Sequence, residues 1–309
     1  VGKSIAYARL YASAMGFYEV YINEKRVGGD LYAPGFTDYR KRMYYQTYDV
    51  TECVKQGENV ISATVAKGYY SGYVGYSQQP MVYGRKNAFW GKLLVCYKDG
   101  SSELVATDPT WLFSDKGPVK NADYLQGEEY DARLEPDISE PDDPRWSSCG
   151  VVPWPRVVVP TNGELRGEKF VLEAQRGPSA SVERVLEPVG MTEMPEGHFV
   201  FDMGQNMVGT VRVTFCGRSG ASVRLRYGEM CRGDGSLYTA NLRSAANTDI
   251  YTMKGGEEIF VPSFTAHGFR YVEITGNGFT LTADEAKRLV VSVEGLVVTN
   301  TAERAGDFE

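Results

Sequence analysis

Residues 211–227 read VRVTFCGRSGASVRLRY, and this stretch decides the fold class. Apolar and polar side chains alternate in residues 211–215 and again in 223–227. Such alternation places one face of each segment in a core and the other in water. The glycine-containing residues between them, 216–220, favour a turn. The pattern is typical of short antiparallel strands in a two-sheet fold.

The first half of the chain shows the same pattern. Residues 17–22 read FYEVYI and precede the polar turn 23–26. Residues 93–97 meet Asp99 and Gly100, a pair that suits a hairpin because glycine tolerates positive φ. We therefore predict an all-β protein made of two tandem β-sandwiches of the jelly-roll type, with very little helix. The exception is residues 282–285, whose capping-box spacing predicts one helical turn.

Composition divides the chain into parts. Tyrosine is concentrated before residue 131, and six of the 14 prolines lie between residues 136 and 160, where they oppose regular ladders. The predicted parts are a first sandwich that could bind carbohydrate (1–135), a proline-rich linker (136–175), a second sandwich (176–282) and a connector (283–309).

The bulk composition excludes several classes of function. A net charge of -7 disfavours nucleic-acid binding, which needs a basic surface. No run approaches the roughly 18 apolar residues of a membrane span, and no signal-peptide pattern is present, so location in the cytoplasm or after secretion stays open. Five cysteines without C-x-x-C spacing are expected to be reduced, and two histidines cannot form a His-rich zinc site.

Aromatic residues supply the candidate binding site. Residues 69–76 contain four tyrosines and two glycines. Aromatic faces stack on sugar rings and tyrosine hydroxyls bond sugar oxygens. The carbohydrate-binding candidates are Tyr69, Tyr70, Tyr73, Tyr76 and Trp90. The alternative is a glycine-bent strand pair whose tyrosines pack against the sheet.

Acidic residues do not form an evident catalytic pair. Glu128 and Glu129 are neighbours, so in a strand their side chains point to opposite faces, and we expect structural bonds near Arg133. Residues 232–236 read RGDGS, which is more typical of a hairpin tip than of a calcium loop because it lacks further acidic ligands. No catalytic residue is assigned.

Ten short strings point to one family. In the first half they are VGGD (27–30), APGFTDY (33–39), YQTYDVT (45–51), GEN (57–59) and GEEYDAR (127–133); in the second they are FDMGQN (201–206), YGE (227–229), GDGSL (233–237), TDIY (248–251) and HGFRYV (267–272). In order and spacing they closely resemble the N-terminal modules of bacterial α-L-rhamnosidases, glycoside hydrolase family 78.

The resemblance implies a parent enzyme that hydrolyses terminal α-L-rhamnose, with its acid and base in an (α/α)6 catalytic domain. Residues 306–309 look like the entry to that domain, so this chain is expected to be inactive and to have that domain as its partner. Some family modules are similar to calcium-dependent rhamnose-binding modules. Calcium is then an optional ligand rather than a required cofactor, and Asp38 and Asn87 are its candidate ligands.

Two other functions remain open at this point. One is a stand-alone, lectin-like module that binds rhamnose-containing glycans through the tyrosines. The other is a β-sandwich polysaccharide lyase, in which a tyrosine and His267 would move a proton. The structural alternative for His267 is a buried, hydrogen-bonded strand residue.

Overall fold

The computed structural model describes residues 1–75, 79–136, 138, 140–152, 171–194, 197–279, 283–300 and 305–306. It confirms the predicted all-β fold. The chain divides into two compact units. Unit 1 contains residues 1–115 and 137–177, and unit 2 contains residues 116–136 and 178–309.

The strands of unit 1 and of the segment that follows it are β1 (Ile5–Met15), β2 (Phe17–Ile22), β3 (Lys25–Arg26), β4 (Arg42–Asp49), β5 (Ile61–Ala66), β6 (Tyr73–Val74), β7 (Gln79–Pro80), β8 (Ala88–Tyr97), β9 (Ser102–Ala106), β10 (Leu112–Phe113), β11 (Val119–Asp123), β12 (Gly127–Asp131), β13 (Ser147–Ser148) and β14 (Val171–Ala174). A one-turn helix, α1 (Gly68–Ser71), follows β5, and a 3-10 turn (Ala132–Leu134) follows β12.

The remaining strands are β15 (Ala180–Leu186), β16 (Gly190–Met194), β17 (His198–Gly217), β18 (Ser222–Gly228), β19 (Met230–Cys231), β20 (Leu237–Tyr238), β21 (Thr248–Thr252), β22 (Gly256–Phe260), β23 (His267–Gly276) and β24 (Val290–Asn300). A second 3-10 turn covers Ala240–Leu242. Helix α2 (Ala283–Leu289) agrees with the predicted helical turn. The predicted cap, Thr282, lies outside the described residues.

Unit 1 is a sandwich of a five-stranded sheet, in the order β14-β4-β1-β8-β9, and a three-stranded sheet, β3-β2-β5. Its core contains the alternate residues of β1, such as Leu10, together with Val20 and Ile22 of β2. Strand β2 has the predicted bounds. The turn after it is shorter than predicted: Asn23 and Glu24 both have positive φ, which suits a two-residue hairpin.

Unit 2 is built on a ten-stranded sheet. Its main path is β11-β12-β21-β18-β23-β17-β24-β15, and β16 and β22 also pair with β17. The two alternating segments that predicted the fold class lie in β17 and β18, and β23 lies between them. Their apolar residues, including Phe215 and Leu225, form the core of this unit.

The domain boundaries differ from the predicted ones. Residues 116–136 belong to unit 2 because β12 pairs in parallel with β21. Within the predicted linker, β13 and β14 pair with β10 and β4 of unit 1, and residues 153–170 lie outside the described part. The predicted connector contributes β24 to the sheet of unit 2. Pairings over such sequence distances leave no local signal in periodicity.

Two smaller predictions can also be compared with the fold. All five cysteines are free, in agreement with the expected reduced thiols. Within the described part of the chain, no helix has the length and apolar character needed to span a bilayer.

Candidate functional site

The tyrosine-rich segment begins with a helical turn rather than a bent strand. Helix α1 starts at Gly68, whose φ is +50°, and a Cβ at that position would lie 2.7 Å from the backbone nitrogen of Phe17. Glycine is therefore the residue that this close approach tolerates. The turn buries Tyr70 and leaves Tyr69 half-buried.

An aromatic cluster forms around this turn. Its members contact one another edge-on, which is a favoured arrangement of aromatic pairs. Ring centroids are 5.2 Å apart for Phe36 and Tyr69, and 5.6 Å apart for Tyr39 and Tyr70. We define the aromatic cluster as Phe17, Phe36, Tyr39, Tyr69, Tyr70 and Tyr83.

The cluster has a buried layer and an open layer. Tyr39 and Tyr70 are 0% and 5% exposed, and they pack on Met15 and Met43 of the sheet. Phe36 is 57% exposed, between the half-buried rings of Tyr69 and Tyr83. An open aromatic face of this kind can stack on the apolar face of a sugar ring.

The hydroxyl groups of the cluster are not suited to acid–base chemistry. Burial raises the pKa of Tyr39, Tyr70 and Tyr83, and for Tyr83 the negative charge of Asp38 adds to this rise. These phenols therefore stay protonated at neutral pH. A phenol that stays protonated cannot serve as a general base, and of these three only the half-buried Tyr83 is open to a ligand.

The structure places the two candidate calcium ligands in separate local roles. Asp38 accepts hydrogen bonds from Arg40 Nε at 2.7 Å and Nη2 at 3.1 Å, and these bonds lower the pKa of Asp38. Asn87 Nδ2 donates to the carbonyl oxygen of Met15 at 2.7 Å, and its Oδ1 accepts from Ser71 at 2.9 Å. Calcium binding stays a prediction.

Among the residues for which the structure gives a position, there is no group of three or more His, Cys, Asp and Glu side chains that could hold a metal ion.

The other predicted sugar ligands are placed differently. Tyr73 is half-buried in the short strand β6, and Tyr76 lies outside the described residues. Trp90 packs on Tyr45, with centroids 6.3 Å apart, and Lys92 Nζ lies 5.9 Å from its ring. The structure thus brings Tyr69 and Tyr70 into one cluster.

Sequence reasoning named Tyr69 and Tyr70 but missed the other four members of the cluster, among them Phe36 and Tyr83 of its open layer. Phe36 lies in the string at 33–39, whose residues indicate the family but carry no signal for an aromatic contact. Tyr83 lies 13 residues after Tyr70 in the chain, and no periodic pattern connects them. A search for every aromatic residue next to a glycine would have found both, because Gly35 and Gly84 flank them.

Unit 2 contains a buried polar network that resembles a catalytic constellation. His267 Nε2 lies 2.9 Å from Asp249 Oδ2, and the Tyr227 hydroxyl donates to the same oxygen at 2.6 Å. Asn247 Oδ1 lies 2.7 Å from His267 Nδ1. The rings of Tyr227 and His267 stack 4.0 Å apart.

Burial excludes this network from contact with substrate. His267 is 1% exposed and Tyr227 is completely buried, which raises the pKa of Tyr227 strongly. A polysaccharide lyase needs its tyrosine and histidine at the surface, so that hypothesis is wrong for this pair. The alternative prediction, a buried and hydrogen-bonded His267, is confirmed.

Glu128 extends the same network. Its Oε2 accepts hydrogen bonds from the backbone nitrogens of Ser263 at 3.0 Å and Phe264 at 2.9 Å, while Glu129 is exposed on the other face. The structural interpretation agrees with these bonds. The expected partner differs, because Arg133 pairs with Asp131 instead.

The strings of the second half meet in space. Arg270 donates to both carboxylate oxygens of Asp202, at 2.8 and 2.9 Å, and Asn206 donates to Glu229 at 3.1 Å. Strands β19 and β20 pair on either side of residues 232–236, which confirms the predicted hairpin tip. The ion pair of Arg270 and Asp202 thus joins the neighbouring strands β23 and β17.

Two protein families match the chain. The family described as "Alpha-L-rhamnosidase N-terminal domain" matches residues 3–165, which is more than half of the chain. The family described as "Bacterial alpha-L-rhamnosidase concanavalin-like domain" matches residues 192–298.

Individual relatives agree with these families. The chain is 44% identical over 308 residues to an α-L-rhamnosidase of Streptomyces avermitilis, covering 99% of this chain and 28% of the relative. The crystal structure of the S. avermitilis α-L-rhamnosidase complexed with L-rhamnose covers 97% of the chain at 45% identity, with a TM-score of 0.83 and 28% of that chain covered. A native α-L-rhamnosidase of Aspergillus terreus covers 100% at 35% identity, with a TM-score of 0.85 and 34% of that chain covered.

Proposed function

Because the chain belongs to the α-L-rhamnosidase family, we propose that it forms the non-catalytic β-sandwich region of a glycoside hydrolase that releases terminal α-L-rhamnose from glycans or glycosides. In this proposal the two units support a helical catalytic domain of the (α/α)6 type. The observation that carries it is the joint match of both units, since the chain spans only about 28% of the length of its S. avermitilis relative.

The use of the buried carboxylates supports a non-catalytic role. Glycoside hydrolysis commonly needs two carboxyl groups across the scissile bond, one of them protonated. In unit 2, Glu128 accepts backbone hydrogen bonds and Asp249 is enclosed with His267. Glu258 accepts from the Tyr251 hydroxyl at 2.7 Å and from two backbone nitrogens. Each of these carboxylates therefore bonds groups of the folded chain itself.

The test is hydrolysis of p-nitrophenyl α-L-rhamnoside. Residues 1–309 should release no p-nitrophenol, whereas a protein whose reading frame continues past residue 309 into a helical domain should release it. The S. avermitilis α-L-rhamnosidase serves as the positive control. Turnover by residues 1–309 alone would overturn the proposal.

A second function, carbohydrate binding by unit 1, is favoured by the exposed Phe36 ring between Tyr69 and Tyr83. Calorimetric titration with L-rhamnose, with and without calcium, tests it. We expect Phe36→Ala and Tyr69→Ala to weaken binding about fivefold or more, since stacking of a base on one aromatic ring, the nearest measured analogue, is worth about 1–3 kcal/mol.

The matched control is Phe113→Ala, which removes another exposed ring of unit 1, in β10. This variant should bind as the unaltered chain does. If titration with L-rhamnose released no heat, either with or without calcium, unit 1 would have only the role of supporting the catalytic domain. If binding depended on calcium, the ion would need ligands other than Asp38 and Asn87, because Asp38 already bonds Arg40 and Asn87 already bonds Met15.

A further inference from the structure

The stretch of chain that supplies half of the aromatic cluster is basic, although the chain is acidic overall. The sequence contains 40 acidic and 33 basic residues. Residues 59–98 nevertheless contain no Asp or Glu. The cations of this stretch are Lys67, Arg85, Lys86, Lys92 and Lys98. The same stretch supplies Tyr69, Tyr70 and Tyr83, so half of the rings of the cluster come from it.

Two exposed cations beside the cluster, Arg85 and Lys86, have no ion-pair or hydrogen-bond partner among the described residues. Arg40 lies over the Tyr83 ring, 5.8 Å from its centroid, but its charge is matched by Asp38. Lys41 is exposed, and its charge also acts on Asp38, whose pKa it helps to lower. Surfaces of soluble proteins usually intersperse charges of both signs.

The loop that carries two of these cations is fixed against the cluster. Gly84 lies on the Tyr70 ring, and a Cβ there would be 2.2 Å from the Tyr70 hydroxyl oxygen. Three residues later Asn87 is bonded to the carbonyl oxygens of Met15 and Ala66. Arg85 and Lys86 lie between these two anchors, at the edge of the cluster.

An open aromatic ring beside unpaired cations fits a ligand with an apolar ring face and a negative substituent. We infer that the aromatic cluster binds an anionic glycan, whose sugar ring stacks on Phe36 and whose carboxylate or sulfate group meets Arg85 and Lys86. This inference rests on the proposed carbohydrate binding by unit 1 and adds the charge of the ligand. Charge-assisted hydrogen bonds from Arg and Lys supply the recognition.

Calorimetry with three ligands tests the inference. They are L-rhamnose linked to glucose, L-rhamnose linked to glucuronic acid, and a sulfated L-rhamnose. The two anionic ligands should bind more tightly than the neutral one in low salt. The difference should vanish in about 1 M NaCl, where the Debye length falls to about 3 Å.

Charge-removing variants locate the effect. Arg85→Gln and Lys86→Gln should each weaken anionic ligands about threefold, the Coulomb effect of one charge at about 6 Å in water, and leave the neutral ligand unchanged. Lys98→Gln is the control. It lies in the same acid-free stretch but at the far end of β8, a strand of 10 residues that is about 33 Å long.

Each outcome has a distinct meaning. Equal affinity for neutral and anionic ligands overturns the inference and leaves carbohydrate binding standing. Anionic binding that Arg85→Gln and Lys86→Gln do not change also overturns it. An absence of binding to all three ligands overturns both proposals. The comparison of glucuronate with sulfate then identifies which anion is preferred.

Discussion

The aromatic cluster of unit 1 and the buried polar network of unit 2 both contain tyrosines, but the cluster exposes a ring to solvent whereas the network is fully enclosed. In the cluster, tyrosine rings support a Phe36 side chain that is more than half exposed. In the network, Tyr227 and His267 stack directly and share the Asp249 carboxylate, and all three are buried. The constellation that looks more like an active site is the one that cannot meet a substrate.

The difference shows that chemistry and access must be judged together. A buried carboxylate that accepts several hydrogen bonds stabilises the core, because each donor left without an acceptor would cost free energy in a medium of low dielectric. A half-exposed ring contributes little to the core and is free to contact a ligand. The following experiments test this distinction in order of decreasing effect.

The largest effect is expected from Asp249→Ala. The change leaves four donors without their acceptor, which are His267 Nε2, the Tyr227 and Thr265 hydroxyls, and the Glu128 backbone nitrogen. Loss of one partner from such a buried network should lower the free energy of unfolding by about 3–5 kcal/mol. Urea unfolding followed by far-UV circular dichroism measures it.

Two controls accompany this variant. Glu257→Ala removes an exposed carboxylate of β22 and should stay within about 0.5 kcal/mol of the unaltered chain. The tryptophans of the described residues, Trp90, Trp111 and Trp146, lie in unit 1, so their fluorescence reports that unit. A change below about 1 kcal/mol in Asp249→Ala would contradict the structural importance of the network.

The next largest effect is expected from Gly127→Ala, which tests how β12 enters unit 2. Gly127 has a φ of +115°, and a Cβ there would lie 1.8 Å from the Thr248 carbonyl oxygen. Strain and overpacking together should cost about 2–4 kcal/mol. Thermal unfolding of the variant measures the loss.

Gly57→Ala is the matched control for this position. Gly57 also has a positive φ, +95°, but no atom lies within 4 Å of the point that an alanine Cβ would occupy. This control should cost only the backbone strain, about 1–2 kcal/mol. Equal losses in the two variants would mean that the close approach to Thr248 contributes nothing.

Phe36→Ala should have a small effect on stability and a large one on binding. Because the ring is more than half exposed, its removal should lower the free energy of unfolding by less than about 1 kcal/mol. Chemical denaturation followed by tryptophan fluorescence tests this. A loss as large as that of a buried aromatic, about 3–5 kcal/mol, would place Phe36 in the core instead.

The smallest effect is a pH dependence in Arg270→Gln. Hydrogen bonds from Arg270 lower the pKa of Asp202, although partial burial opposes them. A depressed folded pKa gives stability that is present above the unfolded value of about 3.9 and is lost as the pH falls through the folded value. The variant should therefore be less stable than the unaltered chain at neutral pH, and the difference should vanish in acid.

Unfolding experiments between neutral pH and pH of about 2 measure this difference. Arg224→Gln is the control, because the Arg224 guanidinium bonds the hydroxyl of Thr275 rather than a carboxylate. The free energy of unfolding of Arg224→Gln should differ from that of the unaltered chain by the same amount at every pH. A difference in Arg270→Gln that persists in acid would assign the effect to packing.

Local patterns predicted the strands and several turns. Strand β2 has the expected bounds because its side chains alternate, and Gly100 adopts the expected positive φ in the turn before β9. The family strings also identified the correct modules. These features depend on neighbouring residues, so one sequence is sufficient to read them.

The sequence could not predict features that depend on distant pairing. The parallel register of β12 with β21 and of β14 with β4 has no local signature. The site was half predicted: Tyr69 was named, but the burial of Tyr70 and the exposure of Phe36 follow from how α1 packs on the sheet. Residue type alone does not determine such packing.

The excursion of residues 116–136 into unit 2 affects how the protein can be made. A ribosome delivers Glu128 long before Asp249, its partner 121 residues later, a delay of roughly 6–24 seconds at ordinary elongation rates. During this time β11 and β12 can pair only with each other, and the edge of β12 that later pairs with β21 stays unpaired. Unit 1 likewise needs residues 171–174 to complete its sheet. Nascent chains should therefore recruit chaperones at this edge, since unpaired strands invite aggregation.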